Sequence, residues 1–491
     1  MNLITSLMEH QKKAVNKLQK IKVNALFMEQ GTGKTRTTLE LINIRLSKKR
    51  INHVIWLCPC SVKENLRRDI IKHTGSEQGD LITICGIETL STSVKWNSYL
   101  LELCDKYNCY LIVDESSKVK NHLAKRTKNI LRLAEKCTYK SVLNGTPITR
   151  NEADLYSQMY ILDWRILGYK SYWSFSANHL EYDDRGQIRK CLNVDYLTEK
   201  IAPYAYQIKK SECLDLPEKT YETKYFYITP EQWEHYDNMA DELLFNLDES
   251  ENVDPEIIYR FLTGLQLILG GYRIWMQKEL RHYKYSSDKI VNAMHKKHFF
   301  SNIEDNPRMQ CLLDIVEGIT EKCIIFCKYT DEINNIVDLL NKKGYSAIAY
   351  NGKLSQKKRQ DNIDKFENNV QFLVANKTCA GFGLNLQFCS YVIFYSNDYD
   401  FGTRSQAEDR VHRIGQNKNV HIIDICAANT LDESIIKCLQ KKENLLDEFK
   451  KELDDKKDKE ELISWIRKKD FLGRKYNKRI KSINKDDLKE V

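Results

Sequence analysis

The sequence predicts an α/β protein made of two parallel-sheet lobes with helical insertions between them, and three observations carry that expectation. The first is a glycine-rich loop, Met28-Glu29-Gln30-Gly31-Thr32-Gly33-Lys34-Thr35, set between the apolar run Val23 to Met28 and a helical pattern from Arg36 to Leu46. The second is the series of short apolar runs after it at 54–59, 81–85, 109–113 and 141–144, each separated by helix-like sequence. The third is that this rhythm stops near Asp154 and resumes after Phe300, with runs at 322–327, 345–350, 370–375 and 391–395. Strands alternating with helices read as parallel sheets, and 491 residues leave room for two or three domains.

Composition narrows the function classes. No apolar run approaches the roughly 20 residues needed to span a bilayer, and the stretch Met1 to Met8 lacks the basic start and cleavage site of a signal peptide. The 15 cysteines are odd in number and scattered, mostly inside apolar runs such as Cys323 to Cys327. Cys58-Pro59-Cys60 has the wrong spacing for a zinc site and no cluster of histidines accompanies it, so the expectation is no zinc and a reducing, intracellular compartment. The net charge of +9 permits nucleic-acid binding without requiring it. Richness in Lys, Ile, Asn and Tyr fits an AT-rich bacterial or phage genome.

The loop is the chemical centre. Gly31 and Gly33 let the backbone curl so that successive N–H groups, including that of Thr32, point at phosphate oxygens, and the helix after it adds its N-terminal partial charge. Lys34 reaches the β/γ-phosphates and the Thr35 hydroxyl is placed to ligate Mg²⁺, so ATP and Mg²⁺ are the expected cofactors. Met28 stands where the strict pattern opens with glycine. Upstream, Gln11 offers both a donor and an acceptor and is suited to reading adenine.

The apolar run Cys109 to Val113 leads straight into Asp114-Glu115-Ser116-Ser117. Carboxylates at the C-terminal end of a parallel strand suit metal-dependent hydrolysis: Asp114 to hold Mg²⁺, Glu115 to polarise the attacking water. The run 141–144 ends in Gly145-Thr146-Pro147, with Asn151 after it. Gln11, Gly31 to Thr35, Cys58-Pro59, Asp114-Glu115, Lys120-Asn121 and Gly145 to Asn151 occur in one order. Together they resemble the first RecA-like lobe of superfamily 2 helicases, specifically the SWI/SNF-type ATP-dependent DNA translocases. That family usually has His where Ser117 stands, which bears on how the acidic motif communicates with Gly-Thr-Pro.

From Asp154 to about Phe300 the pattern is helical and aromatic-rich, with Trp164, Tyr172, Trp173, Trp233, Trp275 and Tyr283. The exception is Leu216-Pro217-Glu218-Lys219 through Ile228, which reads as a strand and resembles the family's return from its helical protrusions. Arg273-Ile274-Trp275 to Arg281-His282-Tyr283 interleaves basic and aromatic residues as nucleic-acid stacking platforms do, although helically spaced aromatics are more often core.

The second series has no phosphate loop. Its legible contribution is Ser405-Gln406-Ala407-Glu408-Asp409-Arg410-Val411-His412-Arg413-Ile414-Gly415-Gln416. Arg410 and Arg413, three apart, are expected on one helical face, where fork-shaped guanidinium groups can bind a transferring phosphoryl group. Such fingers are worth ~10³–10⁵ in rate. The string resembles the most specific SWI/SNF motif, and Thr378 to Leu386, including Gly383, resembles the family's Gly-rich motif. The resemblance covers about residues 7 to 440. It implies residues 1–230 as a RecA-like ATP-binding lobe with a helical protrusion at about 154–205, 231–300 as a helical insertion and 301–440 as the second RecA-like lobe. A charged, basic tail occupies 441–491. It further implies catalytic roles for Lys34, Glu115, Gln406, Arg410 and Arg413, and a nucleotide contact at Gly383. DNA, with duplex favoured, is the implied partner, contacted by Ser61, Lys63, Lys328 and Thr378. The expected function is an ATP-driven motor moving on duplex DNA. A strand-separating helicase and a non-hydrolysing nucleotide-gated DNA-binding protein are the alternatives; no strand-splitting hairpin is readable, though a short one would be hidden in the sequence.

Overall fold

The computed structural model describes residues 1–145, 152–182, 188–249, 255–283, 286–377, 384–441 and Leu472. Thr146, Pro147, Asn151, Thr378, Gly383 and nearly all of the basic tail lie outside the described residues. The chain divides into two compact units, with the main boundary between Leu216 and Pro217.

The first unit is built on a six-stranded, all-parallel sheet. Its strands are β1 (Val23–Met28), β2 (His53–Cys58), β3 (Ile82–Gly86), β4 (Cys109–Val113), β5 (Tyr139–Asn144) and β8 (Ala205–Ile208), in the order β3-β2-β4-β5-β1-β8. The runs are continuously apolar because both faces are covered. Leu26 and Met28 of β1 point to one core with Val54, Trp56 and Tyr110, while Ala25 and Phe27 point to the other with Ile55, Leu57 and Val113. A buried polar chain crosses three strands: the Ser141 hydroxyl donates to Asn24 Oδ1 at 2.7 Å and lies 2.5 Å from the Tyr110 hydroxyl. Such a chain fixes register, since a one-residue slip would leave buried polar atoms unpaired. The helices Asp154–Asp163, Tyr172–His179 and Val194–Ile201 come next, with the short antiparallel pair β6 (Leu180–Tyr182) and β7 (Ile188–Cys191) among them.

The second unit repeats the layout. The strands β9 (Lys219–Phe226), β12 (Cys323–Cys327), β13 (Ala347–Tyr350), β14 (Phe372–Asn376), β15 (Tyr391–Phe394) and β16 (Val420–Ala427) form a parallel sheet in the order β13-β14-β12-β15-β16-β9. The two six-stranded sheets, each covered by helices, make the molecule the α/β protein of two lobes that the sequence predicts.

Two features depart from the sequence reading. The strand at 219–226, placed by the expected boundaries in the first lobe, pairs along its whole length with β16 of the second sheet; strand partnership is non-local and nothing in 219–226 itself encodes it. The second departure is larger. Helices Pro230–Glu249 and Pro255–Leu269 lead not into more helix but into an antiparallel hairpin, β10 (Tyr272–Tyr283) and β11 (Ser286–His298). Gly271, at φ 91°, turns the chain out of the preceding helix and into β10. Tyr272, Ile274, Met276 and Leu280 alternate with Arg273, Trp275, Gln277 and Glu279, a period of two that fits a pleated strand.

Candidate nucleotide site

The site forms at the C-terminal edge of the first sheet, the usual ligand edge of a parallel sheet. Strand β1 ends at Met28, the loop turns through Gly31 (φ 81°) and Gly33 (φ 87°), and the helix Lys34–Ser47 begins immediately. These left-handed conformations are nearly free for glycine and cost any other residue roughly 1–2 kcal/mol. The loop is braced internally. The Thr32 hydroxyl donates to the Glu29 carbonyl at 2.7 Å. The Thr32 carbonyl accepts from the Gln11 amide at 3.2 Å and lies 2.7 Å from His10 Nε2, which therefore carries the ring proton of that bond. Gln11 is itself held, its Oε1 accepting from the Met8 N–H at 3.0 Å. Its amide thus grips the loop backbone from the first turn of the helix Glu9–Leu18.

Lys34 Nζ donates to the Met28 carbonyl at 2.9 Å, so the ammonium lies back across the loop. Thr35 is partly exposed in the first turn of its helix. Strand β5 lies between β1 and β4, and its exit residue Gly145 meets the loop: a Cβ there would stand 3.7 Å from Lys34 Nζ and 3.2 Å from Gln30 Cγ. Asp114 comes directly after β4. Desolvation, and then the charge of neighbouring Glu115, push its carboxyl up to about 7, while Lys34 and the hydrogen bond from the Glu115 N–H pull the other way. The Lys34 ammonium and the Asp114 carboxylate are therefore electrostatic neighbours. Glu115 is held at φ 49°, ψ 53°, its N–H donating to Asp114 Oδ1 at 2.9 Å. A non-glycine residue held in that region is a strained one of the kind that gathers at functional sites.

The donor set fits Mg²⁺-ATP. Thr35 and Asp114 offer the hard oxygen ligands that Mg²⁺ takes alongside phosphate and water. An acidic group whose ionised form is disfavoured by burial and a like charge is one that a cation would stabilise.

Sequence reasoning missed how the acidic motif is tied to the next helix of the lobe. The usual His is Ser117, but it is Ser116 that is buried, and its hydroxyl donates to Gln158 Oε1 at 2.5 Å. Lys120 pairs with Asp154 at 3.6 Å, and the Ser157 hydroxyl donates to the Lys120 carbonyl at 2.9 Å. The acidic motif is thereby fastened to the helix Asp154–Asp163, next along the chain from Gly-Thr-Pro.

Of the residues expected to touch DNA, Ser61 is exposed and Lys63 half-buried, at the start of the helix Lys63–Thr74. Lys328, in the second unit, is half-buried, with its side chain 9% exposed. Its ammonium donates to Gln266 Oε1 at 2.6 Å, sits 4.0 Å from the Tyr399 ring centroid and is lowered to about 8 by desolvation.

In the second unit the helix Phe401–Val411 carries Gln406, half-buried, and Arg410, buried in its last turn. Arg413 does not share that helical face, contrary to its spacing. The helix ends at Val411 because Gln416 folds back, its amide donating to the carbonyls of Cys389 at 2.8 Å and Val411 at 3.4 Å. Gly415 at φ 95° makes that return possible, and Arg413 lies in the turn. The same helix holds a buried charge cluster that sequence reasoning did not find. Arg404 forks onto Asp424 at 2.6 and 3.0 Å and onto Glu408 at 2.8 Å, with its guanidinium 3.4 Å from the Phe394 ring centroid. Glu408 in turn accepts from Lys219 and from the Tyr221 hydroxyl, both at 2.9 Å.

Residues 81–268 match the SNF2-related domain and residues 307–415 the helicase conserved C-terminal domain. The chain carries an SNF2-related domain followed by a helicase C-terminal domain. Among its relatives is an uncharacterized ATP-dependent helicase of Mycoplasma pneumoniae, 26% identical over 90% of this chain and 42% of the relative. Another is an uncharacterized ATP-dependent helicase of Bacillus subtilis, 23% identical over 87% of this chain and 76% of the relative. Among solved structures, the Sulfolobus solfataricus SWI2/SNF2 ATPase core in complex with dsDNA is 24% identical, covers 89% of this chain and 92% of its own, and superposes with a TM-score of 0.40. The chain thus spans less than half the length of its mycoplasmal relative. No helix among the described residues is long and apolar enough to cross a membrane.

Proposed function

We propose that the chain is a DNA-dependent ATPase that couples hydrolysis to movement along duplex DNA and so remodels protein–DNA or branched DNA structures. The observation that carries this reading is the assembly, at one sheet edge, of the phosphate loop, Lys34, Thr35, Asp114 and Glu115. The loop amides and Lys34 bind the phosphates, Lys34 leaving the Met28 carbonyl to do so. Thr35 and Asp114 hold the metal, whose chemistry is to neutralise charge on the transferring phosphoryl group. Glu115, fixed by its strained backbone, orients the attacking water, acting by position more than by proton abstraction. To Gln406, Arg410 and Arg413 we assign stabilisation of the transferring group, and to the Gly383 segment nucleotide or DNA contact. Ser61, Lys63 and Thr378 would contact the DNA backbone, which leaves tracking insensitive to sequence. We retain Lys328 in that group only as a group that must first exchange its present partners.

ATP-driven displacement of a third strand from a DNA triplex tests movement on duplex directly. Displacement that needs ATP and is lost in Lys34→Ala supports the reading. Unwinding of a plain duplex without triplex displacement would favour the strand-separating alternative.

A further inference from the structure

We propose that the outer face of the β10–β11 hairpin is a docking site for an unpaired DNA strand, with Trp275 stacking on a base and basic residues holding the flanking phosphates. The proposal rests on DNA being the partner of the proposed motor, but adds a single-strand contact that a motor tracking duplex phosphates does not need.

The hairpin is long. Its strands of 12 and 13 residues reach ~40 Å at about 3.4 Å per residue. At its base Tyr272 and Ile274 are buried in the second unit's core and Met294 packs against the same cluster. Alternation then fixes the other face. Arg273 and Trp275 share it, directly across from Lys297 and His295, and farther along the same register Arg281 stands opposite Lys289. Basic positions thus recur along the ribbon, with the indole between them.

Charge gives the occupant's sign. Residues 272–298 hold seven Lys and Arg against two Asp and Glu, so this one ribbon carries +5 of the chain's net +9. Arg273 is already paired with Glu231 and lies over the Phe299 ring, and Lys296 is paired with Asp331. Lys297 is exposed beside them.

The aromatic ring specifies the kind of strand. Trp275 is 45% exposed, a large apolar surface left in water, and it stands stacked on His295 with centroids 5.6 Å apart and planes 18° apart. That stack holds the indole in a fixed orientation, which lowers the entropy lost when a flat ligand packs on it. A base can offer its face to such a ring only where it is not stacked within a duplex. A phosphate-rich, sequence-tolerant polymer with free base faces is a single strand.

The test is fluorescence anisotropy of a labelled oligo-dT with the full chain, without nucleotide, alongside a labelled hairpin duplex. Trp275→Ala is expected to weaken oligo-dT binding about 5- to 150-fold, the range for one stacked base, while duplex binding holds. Trp275→Phe should recover most of the loss. Lys297→Gln should reduce the slope of log K against log salt by about 0.7 for the single strand. Unchanged oligo-dT binding in Trp275→Ala, or an equal loss for duplex and single strand, would overturn the proposal. Should Trp275→Ala fail to fold by circular dichroism, Trp275→Phe binding and the Lys297→Gln salt slope decide: a wild-type slope in Lys297→Gln would overturn it. Duplex-stimulated ATP hydrolysis is scored separately, so absence of stimulation in the wild-type chain would sink the motor while the oligo-dT measurements still judge the hairpin.

Discussion

The grip of Gln11 on the phosphate loop can be tested by crowding it. Gly33 sits at φ 87°, and a Cβ added there would stand 2.1 Å from Gln11 Nε2, far inside contact distance. In Gly33→Ala two costs combine. The left-handed backbone now carries a methyl, at ~1–2 kcal/mol. Gln11 must also move, giving up its bonds to the Met8 N–H and the Thr32 carbonyl, each worth ~0.5–1.5 kcal/mol. The sum, ~2–5 kcal/mol, falls on the conformation that binds phosphate, so Mg²⁺-ATP affinity should drop between about 30-fold and several-thousand-fold. Gln11→Ala alone loses only the two bonds, ~1–3 kcal/mol. In the double variant the clash has no partner and the bonds cannot be lost twice, so its cost should fall short of the summed singles by ~1–3 kcal/mol. Isothermal titration with a non-hydrolysable ATP analogue measures all four corners of the cycle, with thermal melts to confirm folding. Strict additivity, or Gly33→Ala binding as tightly as wild type, would refute the claim that Gln11 braces the loop through Gly33.

The same geometry sets three further outcomes. Ser116→Ala removes the donor to the buried Gln158 Oε1 and costs ~1–3 kcal/mol locally; ATP affinity should stay near wild type while stimulation of hydrolysis by DNA falls, and equal stimulation would show that Ser116 does not link the two motifs. Arg404→Leu takes the guanidinium from the buried Asp424, leaving it the Asn397 amide, and from Glu408, which keeps Lys219 and Tyr221; it should lower second-unit stability by ~3–5 kcal/mol in urea, a loss under about 1 kcal/mol speaking against a structural cluster. His73, bonded to the Thr5 hydroxyl at 2.8 Å, is lowered to about 4, by desolvation first and then by Lys72 and Arg36. Above its ordinary value of 6.5 both folded and unfolded forms are neutral, so nothing changes; between 6.5 and about 4 only the unfolded chain takes up the proton, and stability falls. The melting temperature should therefore drop across that window less steeply in His73→Gln than in wild type, and parallel pH profiles would contradict the assignment.

How much of the fold and the site is legible in the sequence depends on how local each signal is. The phosphate loop and Asp114-Glu115 are legible because glycine freedom, a terminal lysine and a strand-end carboxylate pair are encoded within a few residues of each other. Gln11 stands out in the sequence, but its hydrogen bond to Thr32 does not, because that bond depends on the first helix packing onto the loop. The hairpin at 272–298 reads as helix because it comes after two helices and contains the helix-favouring run Gln277-Lys278-Glu279-Leu280; the period-two pattern of Tyr272, Ile274 and Met276 carries the contrary signal. Arg413 leaves its expected helical face because Gln416 caps the helix at Val411, a contact that 3.6-residue spacing cannot express. The Arg404 cluster joins residues from β9, the helix Phe401–Val411 and β16. Only the sheet order brings them together.

The most direct measurement of the central claim is steady-state ATP hydrolysis with no nucleic acid, duplex DNA, single-stranded DNA or RNA, with Glu115→Gln as the blank. Hydrolysis should be strongly stimulated by duplex DNA and abolished in Glu115→Gln, whose site still binds ATP. Absence of hydrolysis under every condition, or undiminished hydrolysis in Glu115→Gln, would contradict the assignment of a DNA-driven ATPase.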